Sequence, residues 1–93
     1  MAPEKAAGEE LSMRLRRLRY RAWHRGTREM DLILGPFADA RLAALSPEEL
    51  DRFEVLLDEM DTDLLDWLTG AQPMPPDADR QMLADLLAFK TAS

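Results

Sequence analysis

The segment "SPEELDRFEVLLDEM", residues 46–60, carries the clearest helix signal in the chain. Ser46 suits the N-cap, Pro47 suits the first helical position, and Glu49 completes a capping box with Ser46. Apolar side chains recur along the segment at steps of three or four residues, which predicts one buried stripe. The members of this predicted stripe are Leu50, Phe53, Leu57 and Met60, with Leu56 beside them.

Two more helical segments precede this one. Residues 11–24 place an apolar residue on one face at every turn, and Gly26 then ends the pattern. Residues 27–45 restart the helical period behind Thr27, a suitable cap, but contain Gly35-Pro36. Pro36 has no backbone N–H to donate and crowds the carbonyl of Leu32, at a cost of about 3 kcal/mol in a regular helix. We therefore expect a kink or a break at Pro36.

Two short helical segments follow. Residues 61–70 predict a helix capped by Asp61 and ended by Gly70, and residues 77–90 predict a last helix capped by Asp77. The proline-rich joint "AQPMPP", residues 71–76, separates them. The chain has one valine and one isoleucine, and no segment alternates in the manner of a strand. The sequence therefore predicts an all-α fold, a small irregular bundle of about five short helices.

Length and composition limit the possible classes of protein. Ninety-three residues are enough for one domain, which we assign to residues 11–93 behind a flexible N-terminal tail of residues 1–10. The chain has no cysteine, which fits a reducing compartment, and residues 1–10 resemble neither a secretory signal nor a mitochondrial presequence. The apolar stretches are too short to span a bilayer. We therefore expect a cytoplasmic protein.

The charge is distributed unevenly along the chain. Residues 1–29 hold eight basic and four acidic residues (+4), whereas residues 30–93 hold four basic and fourteen acidic residues (−10), and the total is −6. Seven arginines lie between Arg14 and Arg28, interleaved with Tyr20 and Trp23. Arginine with aromatic residues suits a nucleic-acid surface and suits a protein–protein contact equally well. A solvated run of charge is a third interpretation, and the acidic remainder of the chain argues against a duplex.

Catalytic and metal-binding motifs are weak. His24 is the single histidine, and no elbow motif presents a serine to it, so a small hydrolase using His24 is a minor alternative. A calcium loop that begins at Asp61 would place Asp66 where the turn needs glycine and Gln72 where a glutamate should close the site. The four glycines are scattered singly, without a phosphate-binding loop. We therefore predict no catalytic residue, no metal site and no tightly bound cofactor.

The segment "WHRGTREMD", residues 23–31, joins the first two predicted helices. Gly26 allows the backbone to turn and allows a partner to approach closely, because it has no Cβ. Arg25 offers forked hydrogen-bond donors and Glu29 offers acceptors, either to each other or to a partner. A structural turn and a docking surface are equally compatible with these residues.

The same segment resembles a known family. "RGTREMD" is similar to the R-G-x-x-E signature of the succinate dehydrogenase flavinylation factors, which are small assembly proteins. The resemblance runs from about Leu15 to Phe89 and includes Tyr20 five residues before the signature. It continues through "LSPEEL" (residues 45–50), "DTDLLDWL" (residues 61–68) and the proline-bearing joint. The order and spacing of these blocks make the match specific.

The resemblance implies a five-helix bundle with Pro36 inside a kinked second helix. It implies a non-enzymatic chaperone that binds the flavoprotein subunit of succinate dehydrogenase, and in some bacteria that of fumarate reductase, and promotes covalent FAD attachment. The FAD would belong to the partner, and neither nucleic-acid binding nor membrane insertion is expected. The signature places Arg25, Gly26 and Glu29 at the contact, and we add their neighbours as candidates: Tyr20, Trp23, His24, Arg28 and Asp31. The alternative is a nucleic-acid or regulatory protein-binding module that uses the arginine-rich first helix.

Overall fold

A computed structural model describes residues 3–92, and the side chains of residues 10–91. Five α-helices follow one another along the chain: α1 (Pro3–Trp23), α2 (Arg28–Arg41), α3 (Pro47–Leu57), α4 (Asp61–Thr69) and α5 (Arg80–Ala92). A short 3₁₀ helix, Leu42–Ala44, extends α2, and no strand occurs among the described residues. The all-α prediction is therefore confirmed. Within residues 3–92, none of the helices is long and apolar enough to cross a bilayer.

The first helix begins earlier than we expected. It begins at Pro3, eight residues before Leu11, and ends at Trp23. The flexible tail predicted for residues 1–10 stays a prediction, and Met1 and Ala2 lie outside the described residues.

The start of α3 forms as its sequence predicts. The Ser46 hydroxyl accepts the Glu49 N–H at 3.1 Å, and the Glu49 carboxylate accepts the Ser46 N–H at 3.0 Å. The hydrogen bond from the Ser46 backbone N–H holds the pKa of the Glu49 carboxyl below its usual value. Leu50, Phe53 and Leu57 are buried as expected. Met60 is an exception, since it lies beyond the end of α3 and is 67% exposed.

Two cap predictions are wrong, and one of the two alternatives at Pro36 is excluded. The helix α2 runs through Pro36 to Arg41, so no break occurs there, and the kink stays a prediction. Met60 is the N-cap of α4, and Asp61 is its first helical residue. Asp79 takes the place predicted for Asp77, because its carboxylate accepts the Met82 N–H at 3.0 Å at the start of α5. Gly70 ends α4 as expected, with φ of 79°.

All five helices contribute to one buried core. Phe37 of α2 lies near its centre, with ring centroids 5.8 Å from Phe53 of α3 and 5.7 Å from Phe89 of α5. Aromatic pairs at these separations stabilise a core beyond the burial of their area. The other buried members include Leu18 and Ala22 of α1, Leu64 and Leu68 of α4, and Met82, Leu83 and Leu86 of α5. This core fixes the positions of the α1 and α2 ends that meet in the turn at residues 24–27.

Candidate functional site

The connection between α1 and α2 is a tight turn at residues 24–27. Gly26 has φ of +101°, which L-residues rarely adopt, and a Cβ built on it would meet no atom within 4 Å. The position is exposed. Glycine is therefore needed here for its backbone conformation, and the space in front of it is open to a partner.

Arg25 points inward and fastens the turn to the junction of α3 and α4. Its Nε lies 2.8 Å from Asp61 Oδ1, and its terminal nitrogens donate to the carbonyls of Leu57 and, at 2.6 Å, Glu59. The side chain is only 10% exposed. Leu57 is the last residue of α3 and Glu59 lies two residues beyond it, so both carbonyls are at the C-terminal end of the helix, where N–H partners run out and a positive charge is favourable. Arg25 therefore uses its donors within the protein, and its role as a partner-binding residue stays a prediction.

Two neighbouring polar residues complete this fastening. Asp31 accepts the backbone N–H of Arg25 at 2.7 Å, which closes the turn onto the first turn of α2. Thr27 occupies the N-cap of α2, but its hydroxyl makes no capping bond and instead lies 3.4 Å from Asp61 Oδ2. The pairing considered between Arg25 and Glu29 is absent, because Asp61 takes the guanidinium. The sequence analysis considered Asp61 only as a helix cap and missed its ion pair with Arg25.

Trp23 also faces inward. Its indole ring lies so close to Gly35 of α2 that a Cβ there would approach Trp23 Cδ2 to 2.3 Å. The indole N–H donates to Asp39 at 3.2 Å. Gly35 therefore permits a close approach of α1 and α2, and Trp23 contributes mainly to that packing.

The remaining candidates face outward. Tyr20 is 64% exposed and stacks on His24 with ring centroids 4.0 Å apart. His24 Nδ1 lies 2.8 Å from the Tyr20 carbonyl oxygen, which orients the ring. Arg28 and Glu29 are exposed, and their side chains make no hydrogen bond or ion pair with any described residue. The eight candidates thus separate into an inward set (Trp23, Arg25, Asp31) and an outward set, which we call the turn surface: Tyr20, His24, Gly26, Arg28 and Glu29.

A ladder of ion pairs joins α1 to α3. Arg14 contacts Asp51 at 2.6 Å and Glu54 at 3.0 Å, and Arg21 contacts Asp58 at 2.8 Å. Arg14 and Arg21 are seven residues apart, as are Asp51 and Asp58, so α1 and α3 run side by side in the same direction. The two carboxylates hold the pKa of Arg14 above its usual value. Because these pairs are partly exposed, they orient the helices more than they stabilise them.

Other clefts lie away from the turn. One cleft, of about 430 Å³, lies between α3, α4 and α5 and is lined equally by apolar residues, among them Val55 and Trp67, and by charged ones. At its rim, Arg52 forms a double hydrogen bond with Asp79 at 2.8 and 2.7 Å, which holds the pKa of Asp79 below its usual value. No group of three or more metal-ligating side chains is present in the described part of the chain.

A family model and an individual protein each match most of this chain. A family model described as "Flavinator of succinate dehydrogenase" matches residues 16–90. The chain is 42% identical over 77 residues to "FAD assembly factor SdhE" of Acetobacter pasteurianus, which covers 83% of this chain and 71% of that protein.

Two fungal proteins named "Succinate dehydrogenase assembly factor 2, mitochondrial" are also similar. The protein of Kluyveromyces lactis is 36% identical over 85 residues, and that of Debaryomyces hansenii is 38% identical over 78 residues. These matches cover 91% and 84% of this chain, which spans 52% and 55% of the fungal proteins. The chain therefore corresponds to about half the length of its fungal relatives.

Proposed function

We propose that this chain, which belongs to the family of succinate dehydrogenase flavinators, is an assembly factor for the flavoprotein subunit of succinate dehydrogenase. It binds that subunit and promotes covalent attachment of FAD. The observation that supports this proposal most directly is the turn surface. The R-G-x-x-E signature occupies a turn whose inward residues are fastened at Arg25 and Asp31, while Gly26 and Glu29 remain open to a partner.

In this proposal the inward and outward residues have different tasks. Arg25 positions the turn through Asp61 and the end of α3, and Glu29 and Arg28 supply charged groups that have no partner among the described residues. A rigid surface loses little conformational entropy on binding, which favours affinity. Gly26 lets the backbone of the flavoprotein approach without meeting a side chain.

The assembly factor acts by selecting a conformation of its partner. It binds the form of the flavoprotein in which flavin and acceptor histidine are well placed, and its preference for that form shifts the population. Covalent attachment is then chemistry of the flavin and the flavoprotein. No step is assigned to a catalytic residue of this chain, and no tightly bound cofactor is part of the proposal.

The proposal includes a second partner, the flavoprotein of fumarate reductase. It also includes a bacterial cytoplasmic location, which fits a chain without cysteine.

The experiment is co-expression of the flavoprotein subunit with and without this chain. Covalently bound flavin remains fluorescent in a denaturing gel, so the subunit band reports attachment. We expect strong fluorescence only when the chain is present. Equal fluorescence in both samples would refute the proposal, and the fumarate reductase subunit is tested in the same way.

A pair of acidic variants tests the contact surface. Glu29 and Asp85 are both exposed and have no hydrogen bond or ion pair within the described residues. We expect Glu29→Ala to weaken flavoprotein binding and flavinylation, and Asp85→Ala to leave both unchanged. Glu29 lies in the first turn of α2, so its loss lowers stability by only about 0.5 kcal/mol. A large fall in melting temperature with normal binding would assign Glu29 a structural role instead.

A further inference from the structure

The two sides of α1 differ in how their charge is neutralised. Residues 11–28 contain seven arginines and no acidic residue. On the side that faces α3, Asp51 and Asp58 pair with Arg14 and Arg21, and just beyond α1 the side chain of Arg25 pairs with Asp61 of α4. The charge on this side is therefore satisfied within the protein.

The side of α1 that faces solvent, away from its buried Leu18 and Ala22, has no such acids beside it among the described residues. Arg16 and Arg17 are exposed and make no ion pair in the described part of the chain. No acidic residue lies within four positions of either arginine, so their own helix offers no i,i+3 or i,i+4 partner. The two side chains line a shallow groove of about 350 Å³ together with Met13 and Tyr20, which are 65% and 64% exposed. We call these four residues the outer α1 face.

We infer that the outer α1 face is a second part of the contact with the flavoprotein subunit, and that it receives an acidic segment carrying apolar side chains. This inference rests on the proposed function. Arginine forms forked hydrogen bonds with carboxylates, and methionine, tyrosine and arginine are enriched where proteins meet. Met13 and Tyr20 provide apolar contact between the charges. The groove therefore matches an acidic protein surface in both charge and polarity.

The outer α1 face is continuous with the turn surface. Tyr20 belongs to both, and it stacks on His24 at the end of α1. From Met13 to Trp23, the last residue of α1, the helix rises about 15 Å. A partner held at Gly26 and Glu29 can therefore extend along α1 without leaving the exposed surface. An overall charge of −6 would repel an acidic partner, so a locally positive approach side also favours one docking orientation.

Charge reversal at matched positions tests the inference. Arg16→Glu and Arg17→Glu are each compared with Arg80→Glu, since Arg80 is also exposed and unpaired among the described residues. Each substitution changes the net charge equally, so overall charge cannot explain a difference between them. Binding to the purified flavoprotein subunit is measured at low and high salt, with the melting temperature of each variant. We expect Arg16→Glu and Arg17→Glu to weaken binding about tenfold at low salt, and Arg80→Glu less than about twofold.

A second pair of variants tests the apolar part of the groove. Met13 and Val55 are almost equally exposed, but Val55 lies in the cleft between α3 and α5. We expect Met13→Ala to weaken binding about threefold and Val55→Ala to leave it unchanged, with similar melting temperatures.

The outcomes separate this inference from the proposed function. If wild-type protein binds the flavoprotein but the arginine variants bind equally well, the inference is wrong and the function stands. If the wild type neither binds nor promotes flavinylation, the function itself fails. If the arginine variants lose only self-association, or only binding to vesicles of anionic phospholipid, the face serves another partner and the inference is again overturned.

Discussion

Arg25 Nε lies 2.8 Å from Asp61 Oδ1, so the turn between α1 and α2 is held against the first residue of α4. The carbonyls of Leu57, the last residue of α3, and of Glu59 accept from the two terminal nitrogens of Arg25. One side chain thus links three helix ends, and it lies directly beside the glycine that opens the proposed contact. Arg25, the inward residue of the signature, therefore fixes the positions of the outward residues Gly26 and Glu29.

Replacing Arg25 with lysine tests this role. Lysine keeps the charge but cannot reach an acid and two carbonyls at once, so we expect the free energy of unfolding to fall by about 2 kcal/mol. Urea denaturation measures the change, and Arg28→Lys is the control because Arg28 is exposed and has no partner within the described chain. Equal stability of the two variants would show that Arg25 is not a structural link.

Gly26→Arg and Gly70→Arg separate backbone strain from steric blocking. Both glycines have positive φ, +101° and +79°, and open space where a Cβ would be. Each substitution should therefore cost a similar free energy of about 1 kcal/mol. Only Gly26→Arg puts a long side chain on the turn surface, so only it should abolish flavinylation in the gel assay. Equal loss of flavinylation in both variants would attribute the effect to strain.

Gly35→Ala should destabilise the protein although alanine favours helices. Helix propensity alone would add about 1 kcal/mol of stability, but the new methyl group would lie 2.3 Å from the Trp23 ring. Overpacking against a rigid aromatic ring costs about 1–3 kcal/mol, so we expect a net loss. In a Trp23→Leu background the same substitution should become neutral or stabilising. Thermal unfolding of the four proteins completes this cycle, and a stabilised single variant would contradict the close packing.

The pair of Arg52 and Asp79 predicts a pH dependence. Hydrogen bonds from Arg52 lower the pKa of Asp79 in the folded protein, so the unfolded chain binds the proton more readily. The pair therefore stabilises the fold above the usual aspartate pKa of about 3.9, and this stability is lost as pH falls through the lowered pKa. We expect Arg52→Gln to be less stable than wild type at pH 7, with the difference shrinking below about pH 4. A difference that stays constant over this range would exclude the pair as its cause.

The sequence predicts the helices well where local chemistry decides the outcome. The Ser46 capping box, the glycine end at Gly70 and the buried side chains of α3 all depend on residues a few positions apart. The caps predicted at Asp61 and Asp77 are wrong: Met60 is the N-cap of α4, and Asp79, an equally suitable acid two residues after Asp77, caps α5. Tertiary partners make the choice: Arg25 holds Asp61, while Arg52 holds Asp79 in place for capping α5.

The candidate site was predictable in position but not in orientation. The signature locates the turn at residues 24–27, yet its spacing does not reveal which side chains point inward. Arg25 finds its partners more than thirty positions away, in Asp61 and the carbonyls of Leu57 and Glu59. Such contacts depend on how α1 packs beside α3. The repeated seven-residue interval between arginines on α1 and acids on α3 was the available signal for that packing.

The seven-residue interval that separates Arg14 from Arg21 and Asp51 from Asp58 restricts where residues can be inserted in the chain. Arg21 meets Asp58 because both helices advance equally from the contact of Arg14 with Asp51. One residue inserted between Asp51 and Asp58 would rotate everything after it by about 100° and bring a different side chain to Arg21. An insertion near Leu45, between the 3₁₀ helix and α3, lengthens only a connection and leaves both contacts aligned. Relatives of different length should therefore vary in the connections and keep the span from Asp51 to Asp58 constant.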